Sequence, residues 1–111
     1  MQNKDLQNFQ VTLGTDGTTP MSGVPKNFTR SFVFLKYNNP LGVDADITVN
    51  AIYGTSSIAL DKQFVVAKDT VPFPQNPDKD NPIFIISQSG YLSVVSSVSG
   101  ARITGQFFDT Y

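Results

Sequence analysis

The chain has 111 residues, enough for one domain and too few for two independent cores; it carries eight Lys plus Arg against nine acids and no His or Cys. Without imidazole or thiolate there is no Ser-His-Asp or Cys-His nucleophile, no disulfide, and no zinc site built from those ligands. A net charge of −1, with its cations scattered singly, gives no basic face for nucleic acid, and no apolar stretch is long enough to span a bilayer as a helix.

All the acids are Asp, and seven Pro and eight Gly are spread through the chain. Glu favours helices, whereas Asp competes with them by bonding its own backbone in turns. The abundant Val, Phe, Thr and Ser suit pleated sheets, so the expected class is all-β. The polar start at residues 1–5 has no apolar run behind it, and no secretory signal is expected.

In chain order, residues 5–13 alternate weakly, with Phe9, Val11 and Leu13 on one face, and predict an edge strand. Residues 14–27 carry three Gly and two Pro and predict a long irregular loop, either a mobile surface loop or an arm that contacts a partner. Residues 28–38 give the strongest strand. Phe28, Phe32 and Phe34 share one parity with Arg30 and Lys36, while Val33, Leu35 and Tyr37 share the other. Apolar side chains on both faces predict a central strand covered on two sides. Asn38 to Gly42 then form a turn cluster.

Residues 45–53 alternate cleanly, with Ile47, Val49, Ala51 and Tyr53 inward and Asp46, Thr48 and Asn50 outward. Gly54 turns the chain into a short strand at Ile58 and Leu60. Asp61 and Lys62 predict a second tight connection, followed by alternation at Phe64 and Val66. Residues 74–82, with three Pro, predict a rigid loop. The run from Ile83 to Ile86 reads as a strand buried on both faces. Tyr91 to Val95 make the next strand and Ser99 with Gly100 a hairpin turn. The last strand has Ala101, Ile103, Gly105 and Phe107 inside and Arg102, Thr104 and Gln106 outside. Seven to nine short strands at this spacing predict one antiparallel β-sandwich, jelly-roll or immunoglobulin-like: an amino-terminal strand and irregular arm over residues 1–27, and the sandwich over 28–111.

Residue pairs with possible chemistry are few. Asp44 with Asp46 and Asp78 with Asp80 are the paired carboxylates, and both pairs sit in turn-forming sequence. Asp78, Lys79, Asp80 and Asn81 open like a calcium loop, but Ile83 stands where a Gly is needed and Ser89 where a Glu is needed. No catalytic, cofactor or metal residue is assigned, although a looser calcium site near Asp78 and Asp80 stays open. Asn27, Phe28 and Thr29 match a glycosylation acceptor pattern, to which no role is given because no secretory signal is expected. Tyr37, Tyr53, Tyr91 and Tyr111 are candidates to line a sugar or partner surface.

The element order from Phe28 to Tyr111 resembles the small β-sandwich virion proteins of tailed bacteriophages. The segments carrying it are FTRSFVFLKYNNP, ADITVNAIYGT, KQFVVAKDTVPFP, PIFIISQSGYLSVVSS and ARITGQFFD. That class includes capsid decoration (cement) proteins and minor head or tail components. The resemblance implies a non-enzymatic structural protein of the virion, assembled in the host cytoplasm. Its partners would be the major capsid protein or other virion proteins and further copies of itself, with no nucleic acid and no membrane. A surface rich in Ser, Thr, Asn and Gln suits close packing of many copies, because it buries few unpaired charges. Phe9, Val11, Leu13, Met21 and Val24 are the apolar groups of the arm expected to dock on a partner, by strand addition for residues 5–13. A chain starting near Lys26 is then expected to fold but to lose particle binding or self-association. The alternatives are a tail- or fibre-associated carbohydrate or host-attachment module, marked by clustered exposed aromatics, and a non-viral adhesin-like domain.

Overall fold

The computed structural model describes residues 6–21, 23–73 and 81–110. The strands are β1 (Gln7–Thr12), β2 (Thr29–Asn38), β3 (Ala45–Tyr53), β4 (Ser56–Val65), β5 (Thr70–Phe73), β6 (Phe84–Ser87), β7 (Tyr91–Ser96) and β8 (Arg102–Thr110). They form two antiparallel sheets, an all-β sandwich of the kind the sequence predicts. The first sheet runs β1-β8-β2-β5, with β6 sharing the flank of β2; the second runs β4-β3-β7. β2 holds both short strands on one edge, β6 along Thr29 to Phe32 and β5 along Leu35 to Asn38. Residues 74–80, with the expected proline loop and the Asp78–Asp80 pair, lie outside the described residues, as does Tyr111.

β3 forms over the residues its alternation marks, with Ala45, Ile47, Val49 and Ala51 fully turned into the core. β8 follows its predicted parity too: Ala101, Ile103 and Phe107 are buried. β2 does not. Between β2 and β8 the register slips at Phe32/Phe34, so Val33 is an extra residue. An extra residue resets the two-residue period. Phe32 therefore joins Leu35 and Tyr37 in the core, while Phe34 is only half-buried. A second bulge corrects the reading of residues 56–65. The register shifts opposite Val49/Asn50, and β4 runs unbroken through Asp61 and Lys62 where a turn is expected. The run at Ile83 to Ile86 is not buried on both faces, because β6 is a short outer strand: Ile86 is buried and Ile85 is 58% exposed.

Ser99 and Gly100 do not close a hairpin. β7 pairs with β3 and β8 with β1 and β2, so the turn carries the chain from one sheet to the other. Gly100 has a φ of 111°, open to Gly and strained for other residues. Asn39 holds the β2–β3 connection from inside. Its Nδ2 donates to the carbonyls of Val43 (2.7 Å) and Val65 (3.0 Å), and its Oδ1 accepts from the Leu41 N–H. A buried carboxamide with every group engaged costs little and fixes the turn.

The arm is woven into the sandwich. β1 pairs along its length with β8 from Gln7↔Phe107 to Thr12↔Arg102. Gly105 lies opposite Phe9, and a Cβ there would meet the Phe9 ring at 2.4 Å. The missing side chain is what lets Phe9 cross β8 and reach Phe32 and Phe107, with ring centroids 6.3 and 6.2 Å away. From Leu13 the chain passes to the outer edge of β7: Thr18 and Val94 exchange two hydrogen bonds of 2.9 Å. Val24 then bonds to Gly90 (2.9 Å) and Ser89 (3.0 Å). One packed unit thus spans the boundary expected at residue 27.

Candidate interaction surfaces

Each sheet edge has its own treatment. An unpaired strand edge offers backbone donors and acceptors to any other strand, and proteins usually cover or blunt it. The β7 edge is covered at Val94 by Thr18 and at Ser96, whose N–H donates to the Gly14 carbonyl at 3.3 Å, with Val24 bonded to the turn just before the strand. β5 carries Pro72, which cannot donate to an added strand. Among the described residues the four-residue β6 pairs only with β2, β1 only with β8, and β4 only with β3. The outer edges of β1 and β4 are the longer open ones.

β4 is the longer of these, at ten residues. Lys62 and the bulge at Leu60 interrupt its middle, two features that discourage strand addition. Its ends have no such protection. Ile58 is 53% exposed and Phe64 59%, with Val66 just beyond the strand also exposed. Only Val65 of the strand is fully buried. Tyr37 reaches β4 from the other sheet, donating from its hydroxyl to Asp61 Oδ2 at 2.6 Å. Gln63 Nε2 donates to the same carboxylate at 3.2 Å. Burial, the hydrogen bond and the carboxylate charge together push the Tyr37 phenol far above its ordinary value, so it stays protonated as a donor. This contact sets β4 over the β2 flank, whereas the loop after β1 runs to β7. The two open edges therefore lie on opposite flanks of the sandwich.

The five residues expected to dock on a partner are placed otherwise. Phe9, Leu13 and Val24 are buried in this chain's own core, and Val11 and Met21 pack against it partly buried. As folded, they are already docked intramolecularly. Residues 14–27 have no periodicity that would mark this, because Gly14, Thr18 and Val24 are held by bonds to β7 and the turn before it, far along the chain. The three described tyrosines do not gather on one surface. Tyr37 is buried, Tyr53 is half-buried and accepts the Ser87 N–H at 3.0 Å, and Tyr91 lies half-buried on β7.

Arg30 and Asp109 form a bidentate pair on neighbouring strands, Nε to Oδ1 at 2.8 Å and the second nitrogen to Oδ2 at 3.0 Å. The Arg30 guanidinium stacks 4.7 Å from the Phe107 ring centroid. Partnered on both sides, this pair ties β2 to β8. Asp44 Oδ1 accepts the Ala67 N–H at 3.0 Å, a turn contact. Among the described residues no group of three or more acids is placed to hold a metal ion.

On the outer face of the first sheet, Gln10, Lys36, Asn38, Arg102 and Thr104 line a shallow depression of about 280 Å³. Its residues come from three adjacent strands and include no acid.

No family model matches the chain, and no curated protein matches it. Among solved structures it is similar to a protein of Bacillus endospore appendages, described as forming a novel family of disulfide-linked pili. The TM-score is 0.53 at 15% identity, covering 99% of this chain and 83% of that one. At that identity the likeness is one of fold, and it places this chain among β-sandwiches of the same general build. This sequence, having no Cys, lacks the residue that a disulfide linkage uses.

Proposed function

We propose that the protein is a non-enzymatic structural subunit, working through contacts with further copies of itself and with other structural proteins. The observation that carries this reading is the pair of longer open strand edges, β1 and β4, on opposite flanks of a sandwich whose β7 edge is covered by the amino-terminal segment. An edge on each flank suits head-to-tail addition, in which the β1 edge of one copy extends the β4 sheet of the next. Such a heterologous contact repeats into rings or open arrays. Ile58 and Phe64 supply apolar area at that contact, and the low charge of the chain limits repulsion between neighbours.

Within this class we read the protein as a bacteriophage virion component that decorates or cements a capsid; the order of elements from Phe28 onward supports that reading. A second reading, a subunit of a surface appendage, is favoured by the fold shared with the Bacillus pilus protein. The experiment that separates them tracks the protein in a producing culture. Stoichiometric co-purification with phage particles supports the virion reading, and recovery in sheared surface filaments supports the appendage. Recovery only as a free monomer contradicts the structural role itself.

A further inference from the structure

From the outer-face depression we infer a binding site for an acidic sugar, an oxyanion carried on a hydroxyl-rich ring. The strand register builds it. Gln10, Thr104 and Lys36 stand in one row across β1, β8 and β2, and Thr12, Arg102 and Asn38 in the next. Side chains of paired strands stand on the same face at about 5 Å across and 7–8 Å on the diagonal. Thr104, short and central, lies between the longer Gln10 and Lys36, so the face is hollow there. Arg102 and Asn38 close one end.

The chemistry is one-sided. Lys36 and Arg102 are diagonal neighbours, and no carboxylate among the described residues is within 4.0 Å ion-pair reach of either. The buried cation Arg30, by contrast, is paired with Asp109. Two like charges on adjacent strands repel, and a bound anion reverses the sign of that interaction. The remaining lining groups are two carboxamides and one hydroxyl, neutral donors and acceptors that match sugar hydroxyls. Asn38 is oriented for this by donating from its Nδ2 to the Thr70 hydroxyl at 2.8 Å. A volume of about 280 Å³ falls just below the usual range of ligand pockets, roughly 300–1,000 Å³, which fits one ring better than a chain of them. The site stands independently of the strand-edge assembly, since it uses the face of the first sheet and not an edge.

The anion is a sugar carboxylate or a sugar phosphate, and titration of the full-length protein followed by amide NMR distinguishes them. The probes are a galacturonate oligomer, glucose 6-phosphate, a neutral glucan oligomer, inorganic phosphate and a single-stranded DNA oligomer. The expected result is shifts confined to β1, β8 and β2 with one of the first two probes. The double variant Lys36→Gln/Arg102→Gln should weaken it at least tenfold with an unchanged spectrum elsewhere, because both side chains are exposed. Tighter binding of the galacturonate assigns the carboxylate, and tighter binding of glucose 6-phosphate the phosphate. Equal response to inorganic phosphate alone, equal or tighter binding of DNA, a response to the neutral glucan that survives the double variant, or no shift at all would each overturn the assignment.

Discussion

Tyr37 shows how a single hydroxyl can be read out in solution. It is buried, and its donor proton is held by Asp61. In the unfolded chain a tyrosine ionises near pH 10, whereas in the fold it resists ionisation. The stability this contributes is fully present below about pH 10 and is lost as pH rises beyond that, because only the unfolded state then releases the proton. Tyr37→Phe is expected to cost about 2 kcal/mol at neutral pH. It should also flatten the alkaline limb of a urea-midpoint profile relative to the parent, where lysine titration is common to both. Gly105 carries the opposite lesson, since its function is to have no side chain. Gly105→Ala would set a Cβ 2.4–2.5 Å from two Phe9 ring atoms and 2.9 Å from Leu35 Cδ2. A loss of roughly 1–3 kcal/mol in chemical denaturation is expected, as for other overpacked cores.

Among the elements, the amino-terminal segment changes most in meaning. Phe9, Leu13 and Val24 belong to the core, and removing large apolar side chains of this kind costs about 2–5 kcal/mol each. Their sum reaches the whole stability of a typical domain, about 5–15 kcal/mol. A chain beginning at Lys26 is therefore expected to lose its β signal in circular dichroism and its cooperative unfolding; a folded truncated domain would show that β1 and the loop to β7 are accessory. Legibility followed the two-residue period wherever it was unbroken. Ala45 to Tyr53 and Ala101 to Phe107 could be assigned face by face from sequence. At Val33 and at Leu60 a bulge adds one residue, and every inward assignment beyond it changes side. At Ile85 and Ile86 the apolar run carries no sign of how many strands lie beyond it, so burial on two faces was the wrong expectation.

For the whole molecule, the sandwich class was legible from composition and turn spacing, while the surfaces that bear on function were not. Which strand becomes an edge depends on the pairing order, and Lys36 meets Arg102 only through the register of two distant strands. The sequence drew attention to apolar residues of the arm, which the fold consumes, and assigned no role to Ile58 or Phe64, which it leaves exposed. In the proposed assembly the open β4 edge joins copies together. Sedimentation velocity over a hundredfold concentration range, comparing the parent with Ile58→Lys/Phe64→Lys, measures it most directly. The expected result is concentration-dependent growth beyond the monomer for the parent and a folded monomer for the variant. A parent that stays monomeric throughout, or a folded variant that assembles equally well, would contradict it.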